Sequence, residues 1–262
     1  MDKHFIYDLA KRYPQILIPI EKDVRQTEEY KNLVLRGMES DRKPQFSFDS
    51  KDKLESIKTE AGIVEVITMY QRHDFVHMVQ CLGCRCEPEI IPDSTGAMAI
   101  FGLNNWDKVR ANLENYKDSI IILSSGYYSN VSEEDVNRVC GMNLNKDEWI
   151  EKSIIIRKYH ELTHFIMRKK YPDDIKAIRD ELIADIVGIY CAFGYLDTKM
   201  LKLFLGLEND EYRDGGRLQN YEGGQKENIP EVLKMIDDLD NKFKAFKDKT
   251  VDEIWSNVIN LM

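Results

Sequence analysis

Prolines are scarce, seven in 262 residues, and they gather with neither glycine nor serine into a linker, so nothing forces a domain cut. Long apolar runs are missing too. Asp8, Lys11 and Arg12 interrupt the first twenty positions, and no later stretch reaches the ~20 residues of a membrane span. No export signal is recognisable, and no membrane partner is expected. Excess positive charge is also lacking: 37 basic residues face 46 acidic ones, for a formal charge of -9 and a pI near 5.2. No global field draws in phosphate or anionic lipid, so nucleic acid is not expected as a partner. Cysteines number only five, an odd count, and three crowd at Cys81, Cys84 and Cys86. That favours reduced thiols over a disulfide framework and predicts a cytoplasmic setting.

What is present is the material of a globular core, with 43% hydrophobic and 10% aromatic residues. Residues 1–60 read as a helical lead-in, with Val24 to Met38 as one helical stretch between Pro19 and Pro44. Residues 61–145 read as a sheet-containing lobe. Its strands are expected at Ile63–Tyr70, Phe75–Cys81, Ala97–Phe101 and Ser119–Leu123, with a helix over Asn104–Tyr116. Residues 146–262 read as a helical lobe. Asn145, three residues before Glu148, is a capping arrangement for a helix through Arg168. A second helix begins after Tyr171-Pro172, with Asp173 or Asp174 at its start, and runs through Ile189. Further helices are expected at Thr198–Leu207, Ile229–Phe246 and Val251–Met262, and a glycine-rich loop runs from Asp214 to Gly224. With no clear internal repeat, the fold class is α+β: one domain, a small twisted sheet in the first half packed against a mainly helical lobe.

The chemistry concentrates in His160-Glu161-Leu162-Thr163-His164, an HExxH sequence on a helix. Histidines at i and i+4 project from one face, one turn apart, where two imidazoles can grip one zinc ion. The glutamate between them reaches a metal-bound water as general base. In a chain with five histidines, composition alone produces this pattern with a probability on the order of one in a hundred. A helix with incidental histidines is the alternative. A catalytic zinc site needs a third protein ligand, and the next helix offers Asp180-Glu181-Leu182-Ile183-Ala184-Asp185. If the two helices form an antiparallel hairpin closing near Pro172, His164 and Glu181 return to nearly the same level. Asp185 then comes level with His160, where it can accept the free ring N–H and set the tautomer. Asp180, about 100° around the helix from Glu181, is expected to face solvent or to cap.

HExxH followed on the next helix by ExxxD resembles the gluzincin, or thermolysin-like, branch of zinc metallopeptidases over roughly residues 147–190. The resemblance implies a zincin-like domain that cleaves a peptide or protein substrate, with Zn2+ on His160, His164 and Glu181, Glu161 catalytic, and Asp185 supporting a histidine. The metzincin pattern is excluded, because Met167 and Lys170 stand where it requires glycine and histidine. No histidine follows His164, so the downstream histidine that many gluzincins use for the oxyanion is absent. Arg217 or Tyr221, in the glycine-rich loop, can supply that donor instead. Arg217 reads equally as a loop salt-bridge partner, and Tyr221 as a packing residue. A non-catalytic metal-binding or protein-interaction module that keeps these helices as a staple is the alternative function, and Glu161 counts against it, since a structural zinc has no need of an extra carboxylate.

The CxxCxC spacing of Cys81, Cys84 and Cys86 allows a second zinc or an iron–sulfur cluster with Cys140, Cys191 or His77, but no second CxxC pair exists. Ordinary reduced cysteines near a turn are expected. His73 and His77, read as lying on a strand, would stand about 13 Å apart. Gly96–Phe101 reads as an edge strand able to bind extended peptide by β-addition, or as an ordinary sheet strand, and Ile120–Leu123 as sheet interior.

Overall fold

The structure is a computed structural model that describes residues 4–172, 177–209, 211–213, 216–221 and 228–261. Asp173, Asp174, Asp214, Gly215 and Glu222–Gly224, named above for a helix start and a loop, lie outside the described residues. The chain is a mixed α+β fold in two compact units, Met1–Lys58 with Ile63–Ser125, and Thr59–Gly62 with Gly126–Met262.

The first unit opens on α1 (Ile6–Arg12), whose Ile6, Leu9 and Ala10 are buried. The expected helix over Val24–Met38 is broken into a 3-10 turn at Val24–Gln26, a single turn α2 (Glu28–Tyr30) and a π turn at Lys31–Leu35. Two strands follow, β1 (Lys53–Thr59) and β2 (Gly62–Met69). The apolar pattern does not mark β1 as a strand, because Lys53, Glu55 and Lys58 dilute it, as suits a strand at the sheet edge.

Phe75–Cys81 is not a strand but part of a helix, α3 (Arg72–Leu82). Phe75, Met78, Val79 and Leu82 are buried at i, i+3, i+4 and i+7, and that period prevails over the β propensity of the individual residues. β3 (Ala97–Asn104), α4 (Trp106–Arg110) and β4 (Lys117–Ser124) complete the unit. α4 is shorter than the expected helix because Asn105 caps its start and Asn112, at φ 53°, leaves helical geometry beyond its end. The sheet order is β1-β2-β4-β3, with β2 parallel and β3 antiparallel to β4. β4 is thus internal and buries all of Ile120–Leu123, while β3 lies at an edge. α1, α3 and the sheet share one core through Leu9, Tyr13, Phe75, Met78, Ile67 and Ile122.

His73 and His77 therefore lie one helical turn apart rather than about 13 Å, yet they do not act together. His73 bonds to Ser47 Oγ at 2.5 Å, whereas the ring of His77 packs edge-on to Phe46. Cys81 and Cys86 are buried free thiols, and the Cys86 thiol donates to the Gln15 carbonyl at 3.4 Å. Hydrogen bonding with Cys86 and burial push the Cys81 thiol well up, so it stays protonated, which is poor ground for a thiolate metal cluster.

The second unit carries α5 (Glu133–Cys140), α6 (Lys146–Lys170), α7 (Ala177–Phe193), α8 (Thr198–Leu205), the two-stranded β5 (Leu207–Glu208) and β6 (Glu211–Tyr212), α9 (Ile229–Phe243) and α10 (Val251–Ser256). Asn145 and Glu148 form the expected reciprocal cap on α6. α6 and α7 pack against each other, and they approach closely at Gly188. A Cβ there would stand 2.7 Å from the Ile156 carbonyl oxygen. Gly188→Ala is expected to destabilise the fold, since an overpacking cost of about 1–3 kcal/mol outweighs the up to about 1 kcal/mol of helix propensity gained. Urea unfolding checks this, and an unchanged midpoint would show that α6 and α7 separate freely.

Candidate metal centre

His160 and His164 project from the middle of α6, 6% and 4% exposed, toward α7. Their Nε2 atoms lie 2.9 Å apart. Glu181 of α7 brings one carboxylate oxygen to 3.5 Å from His160 Nε2 and the other to 3.3 Å from His164 Nε2. The antiparallel hairpin thus places Glu181 between the two histidines, and Asp185, one turn on, puts Oδ1 2.9 Å from His160 Nδ1. Glu161 is half-buried on the same turn of α6.

Asp180 does not face solvent. It is 5% exposed, and its Oδ2 lies 2.9 Å from His164 Nδ1, an ion-pair approach that is out of line for a hydrogen bond. The physical reason is that α7 is enclosed nearly all round: Leu182, Ile183, Ala184, Ile186 and Val187 are fully buried, leaving no solvent side for a residue 100° from Glu181 to occupy. A cue was available in the sequence, since a buried imidazole that uses Nε2 as a ligand needs an acceptor for Nδ1, and Asp180 was a second nearby acid.

Tyr128, which local spacing could not reveal, completes the surroundings of His160. Its hydroxyl lies 2.8 Å from His160 Nδ1 and donates to Asp185 Oδ1 at 2.5 Å. Arg217 opens a 3-10 turn (Arg217–Asn220), donates to the Tyr128 hydroxyl at 3.1 Å and bonds to Asp185 Oδ2. The turn is brought in by a backbone contact between two glycines: Gly206, left-handed at φ 83°, ends α8, and a Cβ on it would stand 2.5 Å from Gly216 Cα. The Tyr221 ring lies 5.7 Å from the Arg217 guanidinium, and burial, with Glu181 and Asp185 adding to it, pushes its hydroxyl up. Both loop residues therefore reach the centre, but Arg217 is committed to Asp185 and Tyr128 rather than presented to an open position.

Burial pushes the Glu181 carboxyl up, but His164 and His160 outweigh it and hold it down at about 2. Burial likewise raises Asp185, and Arg217 with His160 brings it below the usual carboxylate range. Burial lowers the His164 imidazole, while Asp180 and Glu181 together lift it to about 10. Tyr128 is driven upward by burial and by Asp185, so its hydroxyl stays a donor.

The donor set fits a divalent cation. With carboxylates beside both Nδ1 atoms, both Nε2 atoms face the two Glu181 oxygens, and a divalent cation there would take the place of the proton that Asp180 and Glu181 hold on His164. Two nitrogens about 2.05 Å from a common tetrahedral ion stand roughly 3.3 Å apart, and the spacings here run from 2.9 to 3.5 Å. Among the described residues, His160, His164 and Glu181 form the one group with such geometry. Two histidines and one carboxylate match the protein ligand set of a catalytic type of zinc site.

No curated protein and no solved structure matches the chain. A family described as being of unknown function, DUF7005, matches residues 3–115 and 108–260. Together these matches span nearly the whole sequence, and the chain belongs to that family.

Proposed function

We propose that this protein is a zinc-dependent hydrolase, a metallopeptidase of gluzincin type acting on a peptide or protein. The observation that carries this reading is the convergence of His160, His164 and Glu181 on one point with Glu161 on the same helical turn. Bound there, zinc supplies a Lewis acid that acidifies water and polarises the scissile carbonyl. Glu161 takes the proton of the attacking water and passes it to the leaving amine. Asp185 holds the Nδ1 proton of His160, so that Nε2 keeps its lone pair for the metal. Tyr221, beside Arg217, is the loop hydroxyl that would donate toward charge developing on the substrate oxygen. A reducing, cytoplasmic setting belongs to this reading, supported by five free cysteines. Among the described residues no helix is long and apolar enough to cross a membrane.

Elemental analysis of the purified protein, joined to cleavage of a diverse peptide library, tests the proposal. The expected result is about one zinc per chain and cleavage that a chelator abolishes and zinc restores. Metal-free protein that cannot be loaded with zinc, or loaded protein that cuts nothing, would count against it.

A further inference from the structure

Tyr128 sits in a segment whose regular structure is one 3-10 turn (Tyr128–Asn130), yet α6 holds that segment by four bonds. Ser153 Oγ accepts from the Tyr128 N–H at 3.1 Å, and Arg157 Nη2 donates to the carbonyls of Gly126 and Tyr127, each at 2.9 Å. Trp149 Nε1 donates to the Val131 carbonyl at 2.8 Å. Trp149, Ser153 and Arg157 are all buried and stand at i, i+4 and i+8, and the same stripe continues into His160 and His164. One face of one helix thus carries both metal-ligand histidines and the three side chains that grip the tyrosine segment.

The backbone is constrained to match. Ser129 and Asn130 are both left-handed, at φ 52° and 56°, a conformation that asparagine adopts readily but that serine keeps only where its surroundings enforce it. The Tyr128 ring packs edge-on to Phe204, 4.9 Å between centroids, with the Arg157 and Arg217 guanidinium groups 5.7 and 5.4 Å from its centroid.

We infer that Tyr128 is a positioning residue for the metal ligand His160, held in place by the Trp149–Ser153–Arg157 stripe of α6. The inference rests on the proposed metal site. His160 Nδ1, the Tyr128 hydroxyl and Asp185 Oδ1 form a closed triangle with sides of 2.8, 2.5 and 2.9 Å. A carboxylate with one bonded oxygen can rotate. Asp185 has Tyr128 on Oδ1 and Arg217 on Oδ2, so its plane is fixed and the imidazole it orients is fixed with it. Without the hydroxyl, His160 retains an acceptor but loses the constraint on its angle.

The test uses Zn2+ and Co2+ on the full chain, with affinity read by chelator competition, the Co2+ absorption band in the visible, and the melting temperature of metal-stripped protein. Tyr128→Phe keeps the ring against Phe204, so the stripped protein should melt within a few degrees of wild type. It should bind either ion about 10- to 100-fold more weakly, with an altered Co2+ band. Arg157→Lys, which touches no ligand, should weaken binding in the same direction. Because both act through one hydroxyl, the double variant should lose no more than the worse single one. Unchanged affinity and an unchanged band in Tyr128→Phe overturn the inference, as do fully additive losses. Should Tyr128→Phe fail to fold, Arg157→Lys alone decides, and wild-type affinity in that variant overturns it. A wild-type chain that binds neither ion sinks the proposed function, whereas one that binds and is indifferent to Tyr128→Phe sinks this inference only.

Discussion

Glu161→Gln should leave the metal in place and remove the chemistry. The amide has the size of the carboxyl and His160, His164 and Glu181 are untouched, so zinc content and melting temperature should match wild type. Turnover should fall roughly 100-fold or more, because the amide cannot take the proton from the attacking water. Glu161 is half-buried on the ligand turn, and both histidines already have carboxylate partners at Nδ1 without it, namely Asp185 and Asp180. It is therefore surplus to holding a metal. A structural staple would be silent to the change in every assay. Zinc-dependent cleavage that continued undiminished in Glu161→Gln would remove this residue from the mechanism and require another base.

Removing a ligand should act in the opposite way, on the metal first. His160→Ala, His164→Ala and Glu181→Ala are each expected to abolish stoichiometric zinc, because two remaining donors cannot make a catalytic-type site. Asp185→Asn should be milder, weakening zinc about 10- to 100-fold, since it alters only the group that orients His160. Isothermal titration against a competing chelator separates these grades. Full affinity in Glu181→Ala would show that the third ligand lies elsewhere, and Asp180, 2.9 Å from His164 Nδ1, would be the neighbouring carboxylate to examine.

Much of this centre was legible in one dimension because its parts repeat at the helical period. HExxH sets two imidazoles one turn apart, the break near Pro172 folds the chain back, and equal rise on both arms brings Glu181 and Asp185 level with His164 and His160. The reciprocal cap at Asn145 and Glu148 is likewise a three-residue signal. Sequence pattern and structure part where residue type and period disagree. Phe75, Val76 and Val79 favour a strand individually, but burial of Phe75, Met78, Val79 and Leu82 selects a helix. The angle of Asp180 around α7 points to solvent only on a helix that has a solvent side, and α7 buries it.

The α+β class, the two site helices, and His160, Glu161, His164, Glu181 and Asp185 as a set are written in local patterns, because each relation spans one or two turns or a single hairpin. Tertiary packing alone brings in Tyr128, and it turns Arg217, a candidate oxyanion donor by sequence, onto Asp185 and Tyr128 instead. Tyr128 lies 32 positions before His160, and Arg217 lies 32 after Asp185. No local period connects such distances. They meet because Trp149, Ser153 and Arg157 hold the first segment to α6 and the Gly206–Gly216 contact admits the second. Both are outcomes of packing, in which residues far apart in sequence satisfy the buried polar groups that the helical pattern had already placed.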